Sequence, residues 1–225
     1  MKHLVVFTGA GVSAESGIST FRDSDGLWEN YSVQQVAHID SWHTNKALML
    51  DFYNQRRKQL QQVEPNEAHL ILAELEQHFK VSIITQNVDN LHERAGSSTV
   101  IHLHGELTKA CNERKTEVID IAYGDINLGD KASDGSQLRP FIVWFGEQVP
   151  MFDKAIDIVQ TADILLVIGT SLQVYPAASL INYTDAPIYL IDPKPEPRKG
   201  VTIIQAKASE GMRQFFREQV GKLTS

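Results

Sequence analysis

The chain has 225 residues, 42% hydrophobic and 22% charged, with a formal net charge of −7. That length carries one well-packed core with a small insertion, and an acidic balance with no basic run beyond Arg56–Lys58 excludes a phosphate-tracking nucleic-acid binder. A single cysteine, Cys111, excludes an internal disulfide, and no apolar run approaches a membrane span, so a reducing, cytoplasmic setting is expected.

The chain enters a strand almost at once, with only Lys2 and His3 ahead of it, so no signal peptide is expected. Leu4–Phe7 is an apolar run of the length of a buried parallel strand, and Gly9, Ala10 and Gly11 break it. Strand, glycine turn and helix start are predicted, with backbone N–H groups turned toward an anion. The third glycine of a G-x-G-x-x-G fingerprint is replaced by Ala14, so the bare motif taken alone reads first as an ordinary tight strand-to-helix turn. A polar loop, Ser16–Asp23, follows.

Gly26–Tyr31 reads as an aromatic-rich turn and Lys46–Gln62 as a helix with Met49, Phe52, Tyr53, Arg56 and Leu60 on one face. Arg57 is expected to run along the surface. Pro65 opens a second helix, with Leu70, Ala73, Leu75 and Phe79 at its apolar positions. Strands are predicted at Val81–Thr85, Val100–Leu103, Phe141–Phe145, Ile164–Ile168 and Ile188–Ile191, with an edge strand near Thr202–Gln205. Helices are predicted around Ala177–Asn182 and Gly211–Leu223. The alternation points to an α/β chain with a doubly wound parallel sheet. Leu107–Leu138 breaks the rhythm as a polar insertion in which Ile119, Ile121 and Tyr123 share a strand face. Residues 1–225 read as one unit, with a small lobe drawn from about 24–64 and 107–138.

TQNVDNLHERAG, Thr85–Gly96, places Gln86, Asn87 and Asp89 just past a strand's carboxyl end, where open α/β sheets bind ligands. Asn87 or Asp89 as a simple helix cap fits equally well. His102 and His104 in HLHG are expected to face opposite ways, so that at most one serves a given site.

GAGVSAESGISTFRD, TQNVDNLHERAG, HLHG, PFIVWFGEQVP and GTSLQVYPAA, taken in order, resemble the signatures of the sirtuins, NAD-dependent protein lysine deacylases. Ser19 stands where the family often has proline. The resemblance implies a Rossmann-like fold and NAD as co-substrate, held by Gly9, Ala10, Gly11, Ser13, Phe21, Arg22, Gln86, Asn87, Asp89, Gly169, Thr170, Ser171 and Asp192. A carboxylate at Asp192, where asparagine is usual, favours NAD over NADP. His104 is implied as catalytic base, with Asn87 beside it, His102 as structural partner and His92 as a packing or orienting residue. The implied reaction uses the acyl amide oxygen as nucleophile and releases nicotinamide and O-acyl-ADP-ribose. Phe145, Gly146, Glu147 and Val174 would receive an acylated-lysine protein segment by strand addition.

Ala37, Tyr53 and Arg56 match the A…YxxR pattern of sirtuins that remove acidic acyl groups, which implies succinyl or malonyl as well as acetyl removal. Family members commonly hold zinc with four cysteines, and a chain with Cys111 alone is expected to bind none. Leu107, Val118, Ile119, Ile121 and Tyr123 are then expected to pack the small lobe. Mono-ADP-ribosyl transfer and a catalytically silent nucleotide-binding module stand as rivals; intact QNVD and HLHG favour deacylation.

Overall fold

The computed structural model describes residues 1–18, 27–28 and 31–224. β1 (His3–Thr8) begins the chain with all six residues buried. Two single turns of 3-10 helix, Ala10–Val12 and Ala14–Ser16, follow it where the sequence suggested a continuous helix. β2 (Leu27–Trp28) pairs antiparallel with β3 (Tyr31–Ser32), which leads to α1 (Val33–Val36), α2 (Ile39–Thr44) and α3 (Lys46–Gln62). α3 starts where Asn45 Oδ1 accepts from Leu48 N–H at 3.2 Å. α4 (Glu67–Glu74) is capped by Asn66, and His69 Nδ1 returns the bond to Asn66 N–H. β4 (Lys80–Thr85), α5 (Leu91–Arg94) and β5 (Val100–His102) come next. β6 (Gly105–Cys111), β7 (Val118–Asp120) and β8 (Arg139–Ile142) then interrupt the alternation. α6 (Phe152–Gln160), β9 (Ile164–Ile168), a 3-10 stretch at Ala177–Tyr183, β10 (Ile188–Ile191), β11 (Val201–Ile204) and α7 (Ala208–Thr224) close the chain.

Six strands pair in the order β11-β10-β9-β1-β4-β5, all parallel. The chain moves outward from β1 through β4 to β5, then returns to β9 on the other side of β1. That reversal opens a crevice beyond the carboxyl ends of β1 and β9. Thr8 lies level with Thr85 on one side and Ile168 on the other, so Gly9, Gln86 and Gly169 leave the sheet side by side.

Alternate β1 residues feed two cores. Leu4 and Val6 pack with Leu72, Met212 and Phe215 of α4 and α7. Val5 and Phe7 pack with Ala155, Val159 and Leu180 on the other face. Both faces are covered, which is why the strand is a continuous apolar run. A third core joins α1–α3 to the antiparallel sheet β7-β6-β8 through Val36, Trp42, Phe52, Tyr53, Leu107 and Trp144.

Several expectations change. The strand assigned to Phe141–Phe145 ends at Ile142 and pairs antiparallel with β6, outside the parallel sheet. On α4, Leu70 is 52% exposed while Ala68, His69, Ile71 and Leu72 turn inward, because α7 and β1 cover that face. Val118 and Ile119 are also exposed, and only Leu107, Ile121 and Tyr123 of the proposed packing set join the third core. Arg57 is fully buried rather than on the surface. Its Nε donates to Gly124 O at 2.9 Å, and its terminal nitrogens donate to Leu107 O and Asn54 Oδ1, so a helix cation ties down the insertion. Among the described residues no helix is long and apolar enough to cross a membrane.

Candidate active site

The loops after β1 and β9 meet backbone to backbone. Gly9 N–H donates to Ile168 O at 3.0 Å and Gly11 N–H to Gly169 O at 2.8 Å. A Cβ on Gly11 would stand 2.6 Å from Gly169 Cα, and one on Gly169 would stand 2.3 Å from Val12 N. These glycines therefore serve loop-on-loop contact first. The expectation that their amides face an anion is corrected, since Val12 and Ser13 amides also bond back into the turn. Ala10 N–H alone, among Gly9–Ser13, has no partner among the described residues. Phe21 and Arg22 lie outside the described residues.

Ser13 is buried and organises one end of the crevice. Its Oγ donates to Asp89 Oδ2 at 3.0 Å, accepts from Asn87 Nδ2 at 3.1 Å, and lies 3.5 Å from His69 Nε2. Because His69 Nδ1 accepts from Asn66 N–H, the ring's proton is on Nε2, and burial pushes its pKa down to about 4. Asp89 also accepts from Leu91 N–H at 3.1 Å in a local turn just ahead of α5, whose cap position is Asn90; burial nonetheless pushes its carboxyl up. Beneath these groups Thr8 Oγ1 joins Thr85 Oγ1 at 2.8 Å and His92 Nε2 at 3.1 Å.

Gln86 Nε2 donates to Thr170 Oγ1 at 3.0 Å, linking the loop after β4 to the loop after β9. Thr170, Ser171, Asp192 and Lys194 line a small cavity at the carboxyl ends of β9 and β10. Asp192 is buried, with Oδ1 accepting from Lys194 N–H at 2.8 Å.

His102 and His104 share a destination, contrary to the opposite-faces expectation, because residues two apart on a strand lie on one face. His102 Nδ1 meets Asn87 O at 2.9 Å and its Nε2 meets Glu93 Oε1 at 2.7 Å. Two acceptors require two N–H donors. Burial, the largest single influence, opposes the charge, but the Glu93 bond and charge together with the Asn87 carbonyl and the Glu106 charge outweigh it and raise the His102 pKa. His104 Nδ1 meets Gln86 O at 3.1 Å, the adjacent carbonyl. That fixes the proton on Nδ1 and leaves the lone pair on Nε2, while burial lowers the pKa against the raising effect of the Gln86 bond. The pair divides into a clamped, charged ring and a neutral, basic one.

In the third core Tyr53 is wholly buried, donating to Val36 O at 2.9 Å and accepting from Trp144 Nε1 at 2.8 Å. Arg56, one turn on, is buried on the same helix face. Ala37 joins them, its carbonyl accepting from Phe145 N–H at 2.8 Å, and Ile39 N–H donates to Phe145 O at 3.0 Å. Phe145's main chain is therefore taken, a correction to its expected role in strand addition. Glu147 N–H bonds to Trp144 O, which leaves both Gly146 polar groups and the Glu147 carbonyl open among the described residues. Phe145 and Val174 keep apolar side chains partly in solvent, at 45% and 37% exposure.

Glu147 has a second task that sequence reasoning missed. Its carboxylate takes paired bonds from Arg139 at 2.9 and 3.0 Å, one from Lys115 at 2.9 Å and one from Trp144 N–H at 2.9 Å. Arg139 lies 3.7 Å over the Trp144 ring. The signal, an arginine and a tryptophan flanking the FGE turn, was present but has no local periodicity. Cys111 does not fit a four-thiolate metal site: it is buried, and burial pushes its thiol up to about 11. Among the described residues no three His, Cys, Asp or Glu side chains converge as metal ligands. The crevice does fit a dinucleotide, with an open amide at one loop, hydroxyl and carboxylate acceptors at the β9–β10 end, and the Gln86 and Asn87 side-chain amides at the β4 end.

Residues 9–176 match the model of the Sir2 family. The chain is 55% identical over 227 residues to an NAD-dependent protein deacylase of Bacteroides thetaiotaomicron, covering 96% of this chain and 97% of that one. It is 59% identical over 196 residues to a protein of the same description from Helicobacter pylori, covering 86% of each. Among solved structures, a Sir2 homologue bound to NAD is 40% identical with a TM-score of 0.88, covering 100% of this chain and 91% of that one. A Sir2 homologue variant bound to ADP ribose is 39% identical with a TM-score of 0.90, covering 99% and 94%.

Proposed function

Because this chain belongs to the Sir2 family, we propose that it is an NAD-dependent protein deacylase that uses His104 as general base and prefers acyl-lysines ending in a carboxylate. One observation carries the base assignment. His104 Nδ1 is committed to the Gln86 carbonyl, so Nε2 is the ring's one basic atom, and burial keeps it unprotonated near neutrality.

NAD, when bound, supplies a ribose carbon from which nicotinamide departs. The Ala10 amide is suited to a phosphate oxygen, and Thr170, Ser171 and Asp192 to the adenosine end. Ser13, Gln86, Asn87 and Asp89 form the amide-recognising end. His104 Nε2 takes up the proton of a hydroxyl presented in the crevice, the step that lets a reaction begun by an acyl amide oxygen run to completion. His102, clamped by Glu93, holds the Asn87 carbonyl in place. Residues 1–225 act as one catalytic unit on acylated-lysine proteins, and the single buried thiol suits a cytoplasmic setting.

The acyl preference rests on Arg56, a guanidinium buried within the apolar face of α3 near Ala37 and Tyr53. A carboxylate on the acyl chain would receive two parallel hydrogen bonds from it. Tyr53 gives its one hydroxyl proton to Val36 O, so its part is to hold the wall while Arg56 binds the charge. The test is a mass-spectrometric panel of acetyl, malonyl, succinyl and glutaryl peptides with NAD. Arg56→Met should raise KM for the succinyl peptide more than tenfold, breaking such a pair costing roughly 2 to 5 kcal/mol, with acetyl turnover retained. Equal loss on both substrates would make Arg56 a structural residue.

A further inference from the structure

We infer that His38 is a positioning residue for the acyl-peptide, donating Nε2–H to a main-chain carbonyl of the residue flanking the acyl-lysine where the peptide passes Gly146. This rests on the deacylase reading above and adds a contact to it.

His38 caps α2, its Nδ1 accepting from Asp40 N–H at 3.2 Å. The neutral ring therefore carries its proton on Nε2. In the protonated ring Nδ1–H turns to Asp40 Oδ2, 3.3 Å away, and Nε2 is again a donor. In both states one N–H is left over, and among the described residues Nε2 has no hydrogen-bond partner. The ring keeps 26% of its side-chain surface in solvent. Its place is set by a parallel bridge from His38 to Phe145, which brings the ring edge against the next residue. A Cβ built on Gly146 would stand 3.4 Å from His38 Cε1 and 3.6 Å from Nε2. Gly146 is also where both main-chain polar groups are open, so an extended peptide paired there runs alongside a committed imidazole donor.

Two substitutions divide the ring's functions. His38→Asn keeps an acceptor where Nδ1 caps the helix and removes the outer N–H. His38→Gln keeps a donor near Nε2 and gives up the cap. Losing one hydrogen bond should raise the peptide KM of His38→Asn about three- to tenfold, with kcat and the KM for NAD unchanged. Free acyl-lysine without flanking residues should show no change. His38→Gln should keep a peptide KM near wild type while melting at a lower temperature. A wild-type peptide KM in His38→Asn, equal KM increases in both variants, or an equal increase on free acyl-lysine would overturn the assignment. A wild-type protein that releases no nicotinamide with any acyl-peptide would overturn the deacylase reading as well, so the two failures are distinguishable.

Discussion

Replacing Glu147 by alanine removes four hydrogen bonds at once and strands two cations. Arg139, whose side chain is 2% exposed, is left with the Ile142 carbonyl and the Trp42 and Trp144 rings. Lys115, 16% exposed, loses its carboxylate. Burial works against the Glu147 charge, yet Arg139 and Lys115 together hold its carboxyl below the ordinary range. Lys115, pulled from water beside another cation, is itself held below the usual lysine range, so Arg139 is the stronger partner. Breaking a buried pair by deleting one member costs about 3 to 5 kcal/mol, because the remaining charge is desolvated without compensation. In a chain of this size each kcal/mol moves the melting point by roughly 2 to 4 °C, so a fall of about 6 to 20 °C is expected. Urea unfolding with the m-value checked is the assay. Replacing Arg139 by methionine in the same chain should recover part of the loss. A Glu147→Ala protein within about 1 kcal/mol of wild type would mean that the pair behaves as a surface ion pair and does not hold the lobe.

His69, near pKa 4 when folded against 6.5 unfolded, refuses a proton that the unfolded chain accepts, so stability present above pH 6.5 is lost as pH falls toward 4. Its share is at most about 3 kcal/mol, and His92 acts in the same direction. His102, with a raised pKa, opposes them, its stabilisation being present at low pH and lost as pH rises through its folded pKa. His69→Gln, able to keep the capping box, should flatten the melting-temperature decline between pH 6.5 and 4; an unchanged slope would refute the assignment. The acid limb of kcat/KM should inflect below 6.5, in line with the lowered His104 pKa, and His104→Asn should lose about a hundredfold or more in rate while retaining NAD affinity by calorimetry. Elemental analysis should find no stoichiometric zinc and chelators should leave activity intact; one zinc per chain lost together with activity would contradict this.

The regular elements were legible because a parallel sheet covered on both faces writes itself as unbroken apolar runs, and Ile164–Ile168 and Ile188–Ile191 were bounded to the residue. Lys46–Gln62 was equally plain, since one helix face carries its apolar stripe into one core. What failed depended on partners far away in the chain. Arg57 looked like any surface cation until Gly124 and Leu107 supplied carbonyls for it. Gly9 and Gly11 read as a ligand cradle, whereas their amides answer strand and loop carbonyls more than 150 residues on, at Ile168 and Gly169. Leu70 fitted the helical period, but which side of α4 faces inward was decided by α7. Of the site, the residue types were readable from their motifs. The division of His102 and His104 into charged clamp and neutral base was not, because it turns on which carbonyl each ring meets.

That division also explains how the two sheets act on one atom. His104 is the last residue before β6, so the chain passes from the crevice into the antiparallel sheet within a single peptide unit. On one side its ring is held by the Gln86 carbonyl, beyond β4. On the other, its own carbonyl accepts from Val143 N–H at 2.9 Å, just past β8. Gly105 follows at φ +83, with the position of a Cβ only 2.0 Å from Phe141 O, so the two sheets are joined at a point with no room for a side chain. Val143 stands four residues before Glu147 and next to Trp144, whose amide Glu147 accepts. Slack in the carboxylate cluster is therefore transmitted to the strand that positions His104. The Ala10 amide and the Thr170, Ser171 and Asp192 groups suited to the dinucleotide's other end lie instead on the loops after β1, β9 and β10. Glu147→Ala should consequently lower kcat more than it weakens NAD binding; equal losses in both would show that the lobe and the base are not coupled through this strand.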